Sequence, residues 1–135
     1  MKILLGCDVL LDVLAARDKF LPASARVLDG CEAGKVQGAV AWNTLVNIYY
    51  LADDSRKTLK ALEDLLAFSE VVGGDTKLAL EAIRLGFSDF EDALQSVCAV
   101  KFEADFIITR NLKDYKLSPV KAMSPADFAE KFLAG

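Results

Sequence analysis

The chain has 135 residues, a net charge of −4 and no histidine, and 53% of its residues are hydrophobic. This length and composition fit one folded domain with a sizeable core and argue against disorder. The lack of histidine excludes Ser–His and Cys–His nucleophile pairs, histidine general bases and histidine-rich zinc sites, and the acidic balance disfavours a broad surface for duplex DNA. Any reaction must therefore use carboxylates, lysines, hydroxyl groups or a metal ion.

Neither a membrane span nor a secretion signal is expected. No apolar run approaches the ~20 residues of a membrane-spanning helix, and the short apolar run after Met1 is interrupted by Asp8. The three cysteines, Cys7, Cys31 and Cys98, are odd in number and lack metal-ligand spacing. We therefore expect them to be buried thiols in the reducing cytoplasm.

Short apolar runs alternate with stretches of helical spacing along the chain. In the first half of the chain the pattern predicts a strand over 2–5, a helix over 9–16 capped by Asp8, a helix over 22–33, a strand over 36–41 and helices over 43–52 and 55–68. In the second half it predicts a strand over 71–72, helices over 75–84 and 89–102, a strand over 106–108, a weak strand over 120–122 and a closing helix from Ser124. The expected caps of three of these helices are Ser55, Asp75 and Asp89 (or Ser88). This alternation favours a single domain, residues 1–135, with a three-layer α/β/α sandwich around a central, mainly parallel sheet.

The third predicted helix carries a cluster of aromatic residues. Trp42, Tyr49 and Tyr50 have the spacing of core residues. Part of this cluster could instead form a homodimer face.

Polar residues come soon after several of the predicted strands. The carboxyl ends of parallel strands share one edge of a sheet, and ligands bind in the crevice at that edge. The residues drawn to this edge are Asp8 after the first strand, Asn43 and Asn47 after the second, Asn111 and Asp114 after the 106–108 strand, and Asp89, Glu91 and Asp92 at a helix start. Mg²⁺ and Mn²⁺ prefer oxygen ligands and can keep several waters, so a few of these acids suffice for a metal site.

Several of these acids have a simpler explanation. Asp8 and Asp89 could be helix caps, and Glu91 is typical of a solvated first-turn residue. Asp114 could close a turn, whereas Asp92 has apolar neighbours and is harder to explain without a site. Three further acids are expected to be ordinary surface residues: Asp12, Asp53 and Asp54.

Several stretches resemble the PIN-domain family of metal-dependent ribonucleases. Asp92-Ala93-Leu94-Gln95, followed by residues 104–115 (Ala-Asp-Phe-Ile-Ile-Thr-Arg-Asn-Leu-Lys-Asp-Tyr), looks like the C-terminal half of these domains. Residues 2–14 resemble the opening strand and helix, and residues 41–50 resemble the third helix. The likeness spans nearly the whole chain, and its C-terminal motif is the most specific part.

The resemblance implies a three-layer fold that cleaves single-stranded RNA with one or two Mg²⁺ or Mn²⁺ ions held by four acids. It also implies a toxin of the VapC type, with an antitoxin protein and a second copy of the chain as partners. The family's third and last acids match Asp92 and Asp114, and Thr109 and Asn111 lie on the same turn as Asp114. That turn also carries two candidates for steering a phosphate: Arg110 and Lys113.

Two positions depart from the family pattern. The opening motif is usually Asp-Thr-Asn or Asp-Ser-Asp, whereas this chain has Gly6-Cys7-Asp8, and Asn47 stands where many members have glutamate. Glycine offers no ligand and asparagine offers only a neutral carbonyl, so we expect weakened activity unless Asp8 supplies the missing carboxylate. Two alternatives stay open: a disabled PIN-like module that binds RNA or protein, and a flavodoxin-like or receiver-type domain with acids at its strand ends.

Overall fold

The computed structural model describes residues 1–52 and 54–134, and Asp53, which the sequence placed at the surface, lies outside the described part. The strands are β1 (Lys2–Leu5), β2 (Gln37–Ala41), β3 (Ser69–Val72), β4 (Phe106–Ile108) and β5 (Ala122–Met123). The helices are α1 (Cys7–Leu14), α2 (Leu21–Glu32), α3 (Trp42–Leu51), α4 (Ser55–Leu66), α5 (Thr76–Arg84), α6 (Phe90–Phe102) and α7 (Pro125–Phe132), with a 3₁₀ helix at Leu112–Tyr115. The strands form one sheet in the order β3-β2-β1-β4-β5, with every pairing parallel. The predicted α/β/α sandwich is confirmed.

The central strand, β1, is buried on both faces. Ile3, Leu4 and Leu5 are each 0% exposed. Successive side chains of a strand point to opposite faces. Ile3 and Leu5 accordingly pack into one core cluster with residues of α1, α2 and α7, and Leu4 packs into the other with residues of α6. The carboxyl end of β1 therefore lies between two layers of helices, in the middle of the sheet edge.

Some predicted caps and ends were wrong by a residue or two. α1 begins at Cys7 with Gly6 as its N-cap residue, so Asp8 lies inside the helix and does not cap it. The exposed Asp54, and not Ser55, caps α4 by accepting hydrogen bonds from two backbone N–H groups. β5 begins two residues later than predicted. The predicted caps Asp75 and Asp89 are confirmed, and Ser124, where the closing helix was expected to start, is the N-cap residue of α7.

The aromatic cluster of α3 is exposed, which contradicts its predicted place in the core. Trp42 is 66% exposed, Tyr49 37% and Tyr50 78%. The helix buries Thr44 and Ile48 instead, both at 0% exposure. Residues on either face of a helix share the same spacing, so the pattern alone could not separate an inner stripe from an outer one.

Within residues 1–52 and 54–134, no helix combines the length and the apolar character needed to cross a membrane. Cys7, Cys31 and Cys98 are free thiols, of which Cys31 and Cys98 are buried and Cys7 is partly buried. This agrees with the thiol state expected from the sequence.

Candidate acidic site

The candidate site lies at the carboxyl ends of β1 and β4. Leu5 pairs in register with Ile108, and the backbone N–H of Gly6 donates to the carbonyl oxygen of Ile108 at 2.9 Å. α1 leaves β1 at this point, and the turn formed by residues 109–111 leaves β4. Side chains from both segments therefore meet at one edge of the sheet.

The Asp8 carboxylate reaches across to the end of β4. Its Oδ1 accepts a hydrogen bond from the Thr109 hydroxyl at 3.0 Å, and its Oδ2 accepts one from the backbone N–H of Arg110 at 2.8 Å. Arg110 Nε lies 3.8 Å from the same Oδ2. The Asn111 N–H donates to the Thr109 hydroxyl at 3.1 Å, which fixes that hydroxyl in turn. The Asp8 side chain is only 15% exposed, so its carboxylate is held in a largely buried position.

One turn further along α1, Asp12 is fully buried, which contradicts its expected surface position. Arg110 donates to both of its oxygens, at 2.9 and 3.0 Å, and the Ser24 hydroxyl donates at 2.9 Å. Arg17 lies 3.7 Å from Oδ1, and the Arg110 guanidinium stacks 3.7 Å from the ring centroid of Phe20. A buried carboxylate needs such partners to offset its lost hydration. The Arg110 side chain is thus engaged by protein carboxylates at the position considered for steering a phosphate.

The start of α6 brings further acids to the same edge. Asp89 caps the helix by accepting the Glu91 N–H at 2.9 Å. In the first turn, Asp92 Oδ1 accepts a hydrogen bond from the Tyr115 hydroxyl at 3.1 Å. Tyr115 directly follows Asp114 in the 3₁₀ helix, so this bond ties the start of α6 to the segment that carries Asp114.

The acids of this edge form two groups. The paired half consists of Asp8 and Asp12, whose charges are balanced by arginine. The open half consists of Asp89, Glu91, Asp92 and Asp114. In the part of the chain that the structure describes, no lysine or arginine forms an ion pair with an acid of the open half.

Like charges leave a clear mark on the open half. Burial, followed by the negative charge of Asp89, raises the pKa of Asp92 to about 6, and Asp114 and Glu91 add to the rise. The hydrogen bond from Tyr115 acts in the opposite direction. Burial is the larger cause, and the like charge of carboxylates that share a site without a cation adds to it. A bound cation would therefore relieve repulsion that the protein itself leaves uncompensated.

Two further groups lie between the halves. Burial and then Asp92 raise the pKa of Tyr115, with smaller contributions from Asp8 and Glu91. Burial, then Glu91 and Asp8, raise the pKa of Cys7 to about 12, so this thiol is neutral at neutral pH and is a poor nucleophile. Because acids of both halves raise the pKa of each of these groups, the two halves adjoin. Together they are called the acidic pocket.

Of the remaining predicted residues, some adjoin the open half and others do not. Burial and then Asp89 raise the pKa of Glu91, and the nearby Asn47 side chain opposes this, so Asn47 adjoins the open half. Asn43 instead lines a mostly apolar hollow of about 240 Å³ beside Trp42. After β4, the residues Asn111, Leu112, Lys113 and Asp114 are all exposed.

Sequence reasoning missed two residues of this pocket, Asp12 and Tyr115. A signal for Asp12 existed, because residues four apart in a helix share a face, and Asp8 and Asp12 are so spaced. Tyr115 adjoins Asp114 in sequence, but nothing in the pattern shows that its hydroxyl reaches Asp92. The roles of Ser24 and Phe20 depend wholly on the packing of α2 against the turn after β4, and no sequence pattern indicates them.

The donor set fits a hydrated divalent ion better than one ligated entirely by protein. Across residues 1–52 and 54–134, no three Cys, Asp or Glu side chains are close enough to hold one ion together. Mg²⁺, however, is often bound through one or two carboxylates and keeps several waters. An ionised carboxylate has about four acceptor positions, and Asp8 uses two of them for Thr109 and Arg110, which leaves capacity for another contact.

A parallel α/β sandwich with acids gathered where its central strands end defines the class of this protein. The sequence profile of the family described as PIN domain matches residues 2–113. This match covers most of the chain, which therefore belongs to the PIN-domain family. No curated protein matches the chain.

Several solved structures share the fold. A chain in the crystal structure of VapBC2 from Rickettsia felis, bound to a DNA fragment from their promoter, is similar with a TM-score of 0.71 and 16% identity, over 92% of this chain and 98% of that one. VapBC-1 from nontypeable Haemophilus influenzae gives 0.68 and 12%, over 93% and 98%. FitAB bound to an IR36 DNA fragment gives 0.63 and 14%, over 92% and 95%. At identities this low, the likeness establishes the fold and not the activity.

Proposed function

We propose that this PIN domain is a divalent-metal-dependent ribonuclease that cleaves single-stranded RNA in the cytoplasm, with activity weakened by the lack of an acid at position 6. The open half supports this most. Asp92 has a pKa of about 6 among acidic neighbours, and no ion pair within the described residues balances it. Like charges held together oppose folding, so a ligand explains their presence better than stability does.

In this proposal Asp92 and Asp114 would hold a hydrated Mg²⁺ or Mn²⁺ ion, and Asp8, from the paired half, would bind water molecules around it. When bound, the ion supplies charge that activates water and offsets the negative charge of the phosphodiester. Tyr115 orients Asp92, and Thr109 orients Asp8, through hydrogen bonds of 3.1 and 3.0 Å. The other supporting residues are Asp89, Asn47, Arg110 and Asn111.

Incubation of labelled single-stranded RNA with the purified protein tests the activity. We expect cleavage with Mn²⁺ or Mg²⁺ and none with EDTA, and Asp92→Asn should slow cleavage by on the order of 100-fold, as expected when a charged metal ligand is neutralised. Asp127→Asn is the matched control, because Asp127 is also a first-turn aspartate but is exposed on α7. Cleavage by the Asp92→Asn protein at the parental rate would contradict the proposal.

The proposal includes an antitoxin-like partner. The similar folds named above come from VapBC and FitAB structures, and this chain is acidic, which favours a basic or amphipathic partner segment. Co-expression with the product of a neighbouring small reading frame tests this. A stable complex with reduced RNA cleavage is expected, and free cleavage in the presence of that product would count against it.

A homodimer is the second proposed assembly. Trp42, Val46 and Tyr50 are each more than half exposed on α3 and form an outward apolar stripe. Exposed apolar surface of this kind marks interaction sites. Light scattering should give the mass of a dimer for the parent and of a monomer for Val46→Glu, and a monomeric parent at high concentration would contradict the dimer.

A second candidate function is an RNA- or protein-binding module with a disabled metal site. The paired half favours it, because Arg110 already balances the charge of Asp8. Calorimetry separates the two functions. If millimolar Mn²⁺ gives no heat and RNA still binds in EDTA, the binding module is correct and the nuclease is not.

A further inference from the structure

Gly6 directly follows β1 beside the acidic pocket, and the space next to its α-carbon is already filled. A methyl group at position 6 would lie 2.8 Å from Asp8 Oδ1, 2.8 Å from the carbonyl oxygen of Ile108 and 3.3 Å from Thr109 Cβ. Non-bonded heavy atoms prefer separations of about 3.5–4.0 Å, and much closer approaches are repulsive. A side chain therefore fits at position 6 only if the Asp8 carboxylate or the pairing of β1 with β4 moves.

The Asp8 carboxylate is held in this space from two directions. Thr109, which is 1% exposed, donates to Oδ1 at 3.0 Å, and the Arg110 N–H donates to Oδ2 at 2.8 Å. Moving the carboxylate would break both bonds where few waters can replace them, and such unmade bonds are costly.

Arg110 is itself anchored at its far end. Its guanidinium donates to both oxygens of the buried Asp12 and stacks on the ring of Phe20. An anchored side chain restrains the backbone that carries it, so the Arg110 N–H keeps its direction toward Asp8. The position of Asp8 next to Gly6 is thus fixed by a chain of contacts that extends into the core.

We propose that Asp8 is the relocated first acid of this pocket: its carboxylate fills the volume into which a side chain at position 6 would project, and Gly6 keeps that volume open. This rests on the proposed function, because it assigns Asp8 a place beside the hydrated divalent ion that Asp92 and Asp114 would hold. Restoring an acid at position 6 would ordinarily be expected to strengthen metal binding, and this proposal predicts that it does not. An acid placed at position 6 competes with Asp8 for space instead of adding to it.

Thermal unfolding in EDTA tests the shared volume without any activity. Gly6→Ala should lower the Tm of the parent by on the order of 5 °C, as overpacking does. In the Asp8→Ala background the loss should be smaller, because only the contacts with Ile108 and Thr109 remain, whereas in the Asp8→Asn background, which keeps the volume and removes the charge, it should equal the parental loss. The contact with the Ile108 carbonyl is common to every background and cancels in the comparison.

A matched glycine and a second background complete the design. Gly73→Ala is the control, because the nearest atom to a methyl group there, Trp42 Cβ, would be 4.0 Å away, and its effect should be the same in every background. Asp8→Ser, which also removes the carboxylate volume, replaces Asp8→Ala should that protein fail to fold.

Mn²⁺ calorimetry tests the ligand role. Asp8→Ala should weaken Mn²⁺ affinity by about tenfold or more. Gly6→Asp alone should not strengthen it, whereas Gly6→Asp combined with Asp8→Ala should bind more tightly than Asp8→Ala alone.

The outcomes separate this inference from the proposed function. Equal Tm losses for Gly6→Ala with and without the Asp8 carboxylate would overturn the shared volume, and parental Mn²⁺ affinity in Asp8→Ala would overturn the ligand role. Either result leaves the nuclease proposal standing if Asp92→Asn still loses Mn²⁺ binding and RNA cleavage. A parent that binds no Mn²⁺ contradicts the nuclease and the ligand role together, while the unfolding comparison still decides the shared volume.

Discussion

The paired half and the open half of the acidic pocket handle the same electrostatic problem differently. In the paired half, Asp12 is 0% exposed and receives hydrogen bonds from Arg110 and Ser24. In the open half, Asp92 is partly exposed and its side chain receives one hydrogen bond, from the neutral hydroxyl of Tyr115, among the contacts within the described residues. The charge of Asp12 is therefore balanced by a protein cation, whereas no ion pair within the described residues balances the charge of Asp92.

This difference separates Asp12, whose charge serves the fold, from Asp92, whose charge no ion pair within the described residues balances. A buried ion pair contributes little net stability, but removing one partner is strongly destabilising because the other charge is left buried. Repelling carboxylates without a cation instead destabilise the folded state, and a bound ion reverses that effect. Substitution should therefore act in opposite directions in the two halves.

The largest effect is expected from Asp12→Asn in the paired half. The substitution keeps the size of the side chain but removes the charge that faces Arg110, so the free energy of unfolding should fall by about 3 kcal/mol. Urea unfolding in EDTA measures this. The matched control is Asp64→Asn, since Asp64 also pairs with a cation, Lys60, but is 63% exposed; no measurable loss is expected there. Equal losses at both sites would show that burial of the pair does not matter.

Asp92→Asn in the open half is expected to raise the free energy of unfolding, and only at higher pH. The pKa of Asp92 is about 6 in the folded protein and near 3.8 ordinarily. Between these values the unfolded chain has lost the proton while the folded chain retains it, so this group lowers stability as the pH rises and the loss is complete above about pH 6. Asp92→Asn removes that loss.

Urea unfolding in EDTA at several pH values tests the sign. At pH 7.5, Asp92→Asn should be more stable than the parent by on the order of 1 kcal/mol, after allowance for solvent screening of a partly exposed group. Near pH 4 the two proteins should be about equal. Asp127→Asn, the exposed first-turn control, should show no gain that grows with pH. A difference for Asp92→Asn that stays flat across this range would remove the main support for the open half.

The contrast between the halves also marks what the sequence could predict. The alternation of strands and helices predicts the parallel sheet. It also predicts that Asp92 lies at a helix start and that Asp114 follows the 106–108 strand. The burial of Asp12 was not predicted, because its partner Arg110 lies 98 residues further on. Pairs so distant in sequence meet only through packing, which composition and spacing do not encode. The outward stripe of α3 was missed because spacing alone does not separate the inner face of a helix from the outer one.

The smallest effect is expected from Tyr115→Phe, which removes the neutral donor of the open half. The ring should keep its edge-to-face contact with Phe87, whose centroid lies 6.3 Å away. Because the Tyr115 hydrogen bond lowers the pKa of Asp92, its loss should raise that pKa further and lower stability at pH 7.5 by about 0.5 kcal/mol, the lower end of the range for one hydrogen bond. A carbon-detected NMR titration of the Asp92 carboxyl group measures the shift, with Tyr50→Phe as the control because Tyr50 is 78% exposed. An unchanged or lower pKa would mean that the hydroxyl does not serve Asp92 in solution. A rise would show how much of the repulsion a neutral donor offsets, and hence how much is left for a cation to relieve.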